Sequence, residues 1–233
     1  MAGSSQRDHN RFMNTVATES NPNLQRARNR LIQSLIDQGI TNERVLEALR
    51  VVPRHLFIEP ALQYRAYEDA TLPIGQSQTI SQPYIVALMT QALFASSRVQ
   101  TILEVGTGCG YQTAVLGALV KRVYTVERIR SLQESAEARL RDIGYRNIEY
   151  RHGDGFVGWK DRAPYDGIII TAAATEIPKM LLEQLAIGGR MVLPLEEKNG
   201  DQYLRVIRKT GKDLVEENLL PVRFVPLLRG VQA

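Results

Sequence analysis

The chain has 233 residues, 44% of them hydrophobic, and one cysteine, Cys109. This length suits a single domain with a full core, and a lone cysteine excludes an internal disulfide. No run of about 18 apolar residues is present, so the pattern excludes a membrane-spanning helix. The net charge is +4, but the lysines and arginines are scattered among acidic residues. This pattern favours solvated helix faces over a nucleic-acid surface. The first 23 residues do not resemble a signal peptide, so we expect a cytoplasmic protein. Three widely spaced histidines give no metal-site pattern, so we expect no metal ion. We also expect a monomer that binds neither nucleic acid nor a membrane.

The N-terminal part of the chain is predicted to be first disordered, then helical. Residues 1–23 are polar and form an extension that cannot bury enough apolar surface to fold. The predicted helices follow Pro22 up to Gly39, run from Thr41 or Asn42 to before Pro53, and run from Ser81 to about Phe94. Between them, residues 53–81 are broken by prolines and a glycine. So long an irregular segment is typical of a functional loop.

From Val99 onward, predicted strands alternate with helices. The strands are 101–105, 122–126, 148–152, 166–171, 190–195, 202–208 and 214–224, and the helices are 111–120, 131–143 and 178–185. Gly188-Gly189 is predicted to be a turn, and Gly211 connects the last two strands. This alternation predicts one α/β domain, residues 24–233, with a helical and loop segment at 24–95. Its sheet is doubly wound, parallel and Rossmann-like, with an antiparallel C-terminal edge.

A glycine-rich turn follows the first predicted strand. Gly106, Gly108 and Gly110 allow a sharp turn and the close approach of a ligand to the backbone. Their spacing is Gly-x-Gly-x-Gly, which differs from the Gly-x-Gly-x-x-Gly of dinucleotide-binding proteins. The alternative interpretation is a tight strand-to-helix connection without a ligand.

Carboxylates follow the next two predicted strands. Glu127 lies about 20 residues past the glycines, where a carboxylate can accept hydrogen bonds from ribose hydroxyls. Asp154, between Gly153 and Gly155, is placed to accept from an adenine amine. A surface ion pair and an Asx turn are the respective alternatives. Because ligands of open α/β sheets bind at the carboxyl ends of strands, the three features together resemble the cofactor site of class I S-adenosylmethionine methyltransferases.

The remaining motifs narrow the type of acceptor. The glycine turn lacks the Gly-Lys-Ser/Thr ending of a phosphate-binding loop. No Asn/Asp-Pro-Pro-aromatic motif, typical of enzymes that methylate base amino groups, follows Ile170. Cys109, the only candidate nucleophile for pyrimidine C5 chemistry, is better interpreted as a small turn residue. An RNA or small-molecule methyltransferase, a non-catalytic peptide-binding module and a nicotinamide oxidoreductase remain as alternatives.

A set of short motifs spread over residues 31–230 carries a closer resemblance. They are Val52-Pro53-Arg54, Leu72-Pro73-Ile74-Gly75, Gln78-Thr79-Ile80-Ser81-Gln82-Pro83, 103–113, Val126-Glu127-Arg128, His152-Gly153-Asp154-Gly155, Ala163-Pro164-Tyr165-Asp166, Thr171-Ala172-Ala173, Gly188-Gly189-Arg190 and Phe224-Val225-Pro226-Leu227. Their combination resembles the signatures of bacterial protein-L-isoaspartate O-methyltransferases. The first 23 residues extend beyond the usual start of that family.

The resemblance implies a cofactor, a substrate and a set of site residues. The cofactor is S-adenosyl-L-methionine, and the partners are isoaspartyl-containing proteins and peptides, whose free α-carboxylate is methylated to begin repair through a succinimide. Ser81 is implied as the active-site residue, donating a hydrogen bond to the acceptor; from the residues alone, an N-cap is the alternative. The implied substrate-binding residues are Ile80, Ser81, Val225, Pro226 and Leu227. The implied cofactor-binding residues are Gln78, Thr79, Glu104, Gly106, Thr107, Gly108, Gly110, Glu127, Asp154, Gly155 and Thr171.

Overall fold

The structure, a computed structural model, describes residues 21–95, 99–211 and 213–233. Most of the predicted N-terminal extension lies outside these ranges. The first helix begins at Pro22 itself, inside the predicted extension 1–23 and one residue before the predicted start after Pro22. The side chain of Asn21 accepts hydrogen bonds from the backbone amides of Asn23 and Leu24. This N-cap, with Pro22 in the first turn, explains the earlier start.

The helices and strands of the described ranges follow the predicted alternation. The helices are α1 (Pro22–Asp37), α2 (Glu43–Val51), α3 (Pro83–Leu93), α4 (Tyr111–Leu119), α5 (Arg130–Ile143) and α6 (Lys179–Gln184). The strands are β1 (Leu72–Gly75), β2 (Gln78–Ile80), β3 (Thr101–Val105), β4 (Arg122–Glu127), β5 (Ile148–His152), β6 (Tyr165–Ile170), β7 (Leu185–Glu196), β8 (Gln202–Thr210) and β9 (Asp213–Val222). Short 3₁₀ helices span Arg54–Phe57, Pro60–Arg65 and Lys160–Arg162. None of the helices in these ranges is long and apolar enough to cross a membrane.

Strands β3 to β9 form one sheet in the order β5-β4-β3-β6-β7-β8-β9. Neighbouring strands from β5 to β7 pair in parallel, while β8 and β9 add an antiparallel edge. The chain moves outward from β3 through β4 to β5 and then returns to the other side of β3 at β6. This confirms the predicted doubly wound α/β fold and creates a topological switch point between β3 and β6.

The core lies on both faces of this sheet. Ile168 and Ile170 of β6 belong to an apolar cluster that includes Leu181 of α6, whereas Ile169 belongs to a second cluster built with α1 to α4. All three isoleucines are fully buried. Because successive side chains of a strand point to opposite faces, one apolar run supplies both clusters. The sheet is therefore fixed from both sides, and the polar residues after its strands come together at one edge.

The prediction that residues 53–81 are irregular is wrong in part, because they contain two short 3₁₀ helices and a hairpin formed by β1 and β2. Gln76 and Ser77 in its turn have φ values of 50° and 54°. Positive φ at both central residues is characteristic of the type I′ turns that join antiparallel strands. Asn-Gly or Asp-Gly is the usual sequence signal for such a turn, and Gln-Ser does not provide it.

The predicted turn at Gly188-Gly189 is instead an irregular part of β7. The pairing register between β6 and β7 shifts at this point, and Gly188 has a φ of 82°. A Cβ at Gly189 would lie 2.9 Å from the backbone oxygens of Ala186 and Asp166. The glycines therefore allow a bulge within a strand rather than a connection between two elements.

Candidate active site

A cavity of about 530 Å³ opens at the carboxyl ends of β3, β4 and β6. This is the switch point, where open α/β sheets bind ligands, and the volume suits a small-molecule site. The predicted site residues that line it are Gln78, Thr79, Ser81, Gly106, Gly108, Glu127, Gly155, Thr171, Val225, Pro226 and Leu227. The predicted site residues that do not line it are Ile80, Glu104, Thr107, Gly110 and Asp154.

The glycine turn between β3 and α4 brings bare backbone to the cavity. Gly106, Gly108 and Gly110 have φ values of 95°, 54° and 90°, which other residues rarely adopt. A Cβ at Gly106 would collide with Oγ1 of Thr171, whose hydroxyl donates to the Gly106 carbonyl over 2.8 Å. Gly110 faces the other way, since a Cβ there would lie 3.0 Å from Cδ1 of Leu140 in α5. The first two glycines thus line the cavity with bare backbone, which we call the glycine cradle, and the third allows helix packing.

A buried hydrogen-bond network supports the turn from behind. Glu104 is fully buried, and its Oε2 accepts from the hydroxyls of Thr113 at 2.5 Å and Thr125 at 2.6 Å. The Thr125 hydroxyl also lies 2.7 Å from that of Thr107 in the turn. Burial raises the pKa of Glu104 to about 8 despite the opposing effect of the two hydroxyls, so the side chain is mainly neutral at pH 7. Glu104 and Thr107 therefore hold the turn in place rather than face the cavity.

Glu127 connects the glycine turn to the start of α5. Its Oε2 accepts from the backbone amide of Gly108 and its Oε1 from that of Ile129, both over 3.0 Å. The side chain is almost completely buried and lies at the wall of the cavity. Ile129 and Leu132 continue this wall with apolar surface. We call the glycine turn 106–110, Glu127 and Gly155 the cofactor wall.

Asp154 binds the C-terminal segment. Its Oδ1 accepts from the amide of Phe156 over 2.8 Å, which is the Asx turn considered as the alternative. Its Oδ2 accepts from the amide of Gly230 over 2.7 Å. The adjacent Gly155 does line the cavity, and a Cβ there would collide with the side chain of Val105.

The C-terminal segment runs across the ends of the parallel strands. The amide of Ala173 donates to the Val225 carbonyl over 2.8 Å, and the amide of Leu227 donates back to Ala173 over 2.7 Å. Further along, the amide of Gln232 donates to the carbonyl of Arg128 over 2.7 Å. These bonds hold the predicted substrate-binding residues at the cavity. We call this segment, residues 220–228, together with residues 78–81 of the hairpin side, the acceptor wall.

Ser81 lies in the acceptor wall immediately before α3, but it does not cap that helix. Gln82 occupies the N-cap position without a side-chain cap, and Oδ1 of Asp69 accepts from the amide of Tyr84 over 2.8 Å instead. The N-cap interpretation of Ser81 is therefore wrong. The Ser81 carbonyl accepts from Arg54 Nη2 over 2.9 Å, whereas no hydrogen-bond partner for its hydroxyl is found among the described residues. The hydroxyl is available to a ligand in the cavity.

Several lining residues were not predicted. They are Thr71, Ile74, Gln82, Tyr84, Ile85, Val105, Val126, Arg128, Ile129, Leu132, Ala172, Leu220, Pro221, Val222, Arg223, Phe224 and Leu228. Apolar residues directly after Glu127 were a usable signal for Ile129 and Leu132, since small-molecule pockets are lined mainly by apolar side chains. The end of β9 gives no local signal, because only tertiary folding brings it to the cavity.

Comparison with known proteins establishes the family. The family model described as protein-L-isoaspartate(D-aspartate) O-methyltransferase matches residues 25–232. The chain belongs to this family. Protein-L-isoaspartate O-methyltransferases of Pseudomonas paraeruginosa and Pseudomonas fluorescens are each 53% identical to it over 206 residues, which cover 88% of this chain and 97% of each relative.

Two solved structures that share the fold are described as protein-L-isoaspartate O-methyltransferases, one of them as putative. One protein-L-isoaspartate O-methyltransferase superimposes with a TM-score of 0.77 at 30% identity, covering 85% of this chain and 65% of that chain. A Plasmodium falciparum protein described as belonging to the same class, solved with S-adenosyl-L-homocysteine, gives a TM-score of 0.76 at 25% identity, covering 85% of this chain and 97% of that chain. The family and this neighbour imply S-adenosylmethionine as methyl donor. The cofactor wall fits such a donor, because Gly106, Gly108 and Gly155 bring bare backbone to the cavity and the Glu127 carboxylate lies at its wall.

Proposed function

We propose that the protein transfers a methyl group from S-adenosylmethionine to the free α-carboxylate of L-isoaspartyl residues in damaged proteins and peptides, which begins repair through a succinimide. The observation that carries this proposal is one cavity lined both by the glycine cradle and by Ser81, whose hydroxyl is available. Membership of the isoaspartate methyltransferase family supports the choice of acceptor. A monomeric state and a cytoplasmic location stay predictions.

The cofactor wall is proposed to bind the donor directly through Gly106, Gly108, Glu127 and Gly155. Each carboxylate oxygen of Glu127 already accepts from one backbone amide, and a carboxylate has further lone pairs for ribose hydroxyls. The bound donor supplies an electrophilic methyl group on a sulfonium. It carries no phosphate, in agreement with a site that offers a carboxylate.

Other residues predicted to bind the cofactor are proposed to act indirectly. Glu104 and Thr107 support the turn through the buried hydroxyl network, and Gly110 allows α5 to pack against it. Asp154 shapes the site by holding Gly230 and by forming the turn that exposes Gly155. Gln78, Thr79 and Thr171 line the cavity and remain candidates for direct contact.

The acceptor needs no general base. A free α-carboxyl has a pKa of about 3.5 and is ionised at pH 7, so it is already a nucleophile. We propose that the Ser81 hydroxyl donates a hydrogen bond to one carboxylate oxygen and so orients the other. That oxygen forms a bond to the methyl carbon as the bond from carbon to sulfur breaks and sulfur keeps the electron pair. Catalysis then rests on proximity and in-line alignment.

The substrate-binding prediction also changes in one detail. Ile80 is buried and pairs with Leu72 across the hairpin, so we propose that it supports the acceptor wall from behind. Val225, Pro226 and Leu227 line the cavity, and their backbone is fixed by Ala173. A wall made largely of backbone and apolar surface suits many flanking sequences.

Methyl transfer from labelled S-adenosylmethionine to an isoaspartyl peptide tests the proposal. We expect the label to enter the peptide as a carboxyl methyl ester, which mild alkali hydrolyses to release labelled methanol. Total RNA incubated in parallel serves as the control, and we expect no label in it. Binding of the cofactor without any labelled peptide, or alkali-stable label in the RNA, would show that the proposed acceptor is wrong.

A further inference from the structure

Arg54 is a buried cation that connects separate parts of the irregular segment beside Ser81. Its Nε donates to the carbonyl of Ala66 over 2.9 Å. Its Nη2 donates to the carbonyl of Ser81 over 2.9 Å and reaches that of Ala70 at 3.4 Å. The side chain is 1% exposed. Among the described residues no carboxylate lies within ion-pairing distance, and these three hydrogen bonds all go to backbone carbonyls.

Arg54 also contacts the element that follows the glycine turn. The central carbon of its guanidinium lies 4.8 Å from the ring centroid of Tyr111, in the range of a cation–π interaction. Tyr111 is the first residue of α4 and directly follows Gly110. One side chain therefore touches both the backbone of Ser81 and the element anchored to the cofactor wall.

A second polar anchor lies on the other side of Ser81. Asp69 accepts from the amide of Tyr84 and, through Oδ2, from the side chain of Gln82 over 3.0 Å. The backbone is thus fixed at Ser81 by Arg54 and immediately after it by Asp69. The Ser81 hydroxyl is left out of both contacts.

Burying the Arg54 guanidinium costs free energy, which indicates that this side chain does more than fill space in the core. Removing a guanidinium from water is expensive, and burial lowers the pKa of Arg54 although Tyr111 and the more distant Asp69 act against this shift. In the part of the chain that the structure describes, its Nη1 has no hydrogen-bond partner. An apolar side chain of similar volume would fill the same space without this cost, but it would not fix the Ser81 carbonyl.

We infer that Arg54 is a positioning residue for methyl transfer: it fixes the backbone of Ser81 relative to the glycine turn, so that the serine hydroxyl meets the acceptor carboxylate. This inference rests on the proposed function. A guanidinium is suited to the task because it is planar and carries several donors in a fixed arrangement, so it can bind carbonyls of different segments at once. A lysine at this position offers a single ammonium and cannot reproduce that geometry.

The test compares Arg54→Lys and Arg54→Met with Leu46→Ala. Leu46 is buried in α2 and does not line the cavity, so its truncation lowers the melting temperature without touching the site.

All variants are assayed below their melting transitions for kcat and KM on an isoaspartyl peptide, and for affinity to S-adenosylhomocysteine by calorimetry. We expect Arg54→Lys to lose on the order of tenfold in kcat, since small misplacements of reacting groups have effects of this size or more. Its affinity for S-adenosylhomocysteine should stay close to that of the wild type, and Leu46→Ala should retain its kcat.

The outcomes separate the inference from the proposed function. If Arg54→Lys loses no more kcat than Leu46→Ala at a comparable drop in melting temperature, or loses cofactor affinity in proportion to kcat, the inference is overturned. Should Arg54→Met fail to fold, the lysine variant alone decides. A wild type that binds S-adenosylhomocysteine but does not methylate the peptide would overturn the proposed function, and the inference with it.

Discussion

The cofactor wall and the acceptor wall face one cavity but are built in different ways. The cofactor wall follows directly from successive strand ends, and it is stabilised by buried groups such as Glu104 that belong to the sheet itself. The acceptor wall is assembled from segments remote in sequence, each held by a few side-chain contacts to backbone. One example is Gln202, whose side chain accepts from the amide of Phe224 over 2.7 Å and so directs the chain after β9. In the proposed function, the sheet thus provides the site for the donor, and tertiary contacts provide the site for the acceptor.

The largest effect on the cofactor wall is expected for Gly106→Ala. The new Cβ would collide with Thr171 Oγ1, and φ of 95° is strained for alanine. Overpacking and backbone strain each cost about 1–3 kcal/mol of stability, and relieving them moves the turn out of its position at the cavity. We expect this displacement to lower the affinity for S-adenosylhomocysteine on the order of a hundredfold, which corresponds to about 2.8 kcal/mol. Gly200→Ala is the matched control, because its φ is 86° but no atom lies within 4 Å of the added Cβ. Equal affinity losses in both variants would show that the cradle is not specific to the ligand.

A smaller effect on donor binding is expected for Glu127→Ala. Losing hydrogen bonds to a charged group typically costs about 1.5–3 kcal/mol, which corresponds to roughly ten- to a hundredfold in affinity. Asp154→Ala should weaken binding less, because Asp154 does not line the cavity and acts through Gly230 and Gly155. Calorimetric titration of both folded variants measures the difference. A greater loss in Asp154→Ala than in Glu127→Ala would contradict the assignment of Glu127 to the cofactor wall.

In the acceptor wall, Ser81→Ala should affect turnover rather than donor binding. We expect kcat to fall by about tenfold, the effect of losing one hydrogen bond to a carboxylate, with no change in affinity for S-adenosylhomocysteine. Stability should stay close to that of the wild type, because Asp69 and not Ser81 caps α3. Asn42→Ala is the converse control: its side chain caps α2 and does not line the cavity, so the change should cost about 1 kcal/mol of stability and leave kcat unchanged. Unfolding curves and initial rates recorded on the same preparations distinguish the two roles, and a destabilised Ser81→Ala with unchanged kcat would refute them.

The smallest effect on donor binding at neutral pH is expected for Glu104→Gln, because Glu104 does not line the cavity and is already mainly neutral in the folded protein. Its pKa is raised from 4.5 to about 8, so its contribution to stability is complete below pH 4.5 and is lost as the pH rises to about 8. The slope of this loss is at most about 1.4 kcal/mol per pH unit. The melting temperature of Glu104→Gln relative to the wild type should therefore increase between pH 5 and pH 9. A constant difference over this range would mean that Glu104 is ionised throughout.

The difference between the cofactor wall and the acceptor wall also explains which features could be predicted from the sequence. The strand pattern, the glycines and Glu127 are local signals with a physical meaning at a strand end, and they led to the fold and to most of the cofactor wall. The roles of Glu104 and Asp154 were not predictable, because their partners Thr113 and Gly230 are identified only by packing. Ser81 was found through resemblance alone, and its local sequence suggested a cap that Asp69 provides instead.

The most direct measurement of the central claim is the ratio of kcat/KM for two peptides that differ only in carrying an isoaspartyl or a normal L-aspartyl residue. Both carboxylates are ionised at pH 7, so any discrimination must come from where the acceptor wall places the oxygen relative to the methyl group. The normal side chain displaces that oxygen by roughly one bond length, and such misplacement can cost on the order of a hundredfold in rate. The account predicts a ratio of this size in favour of the isoaspartyl peptide. Comparable values for the two peptides would contradict it.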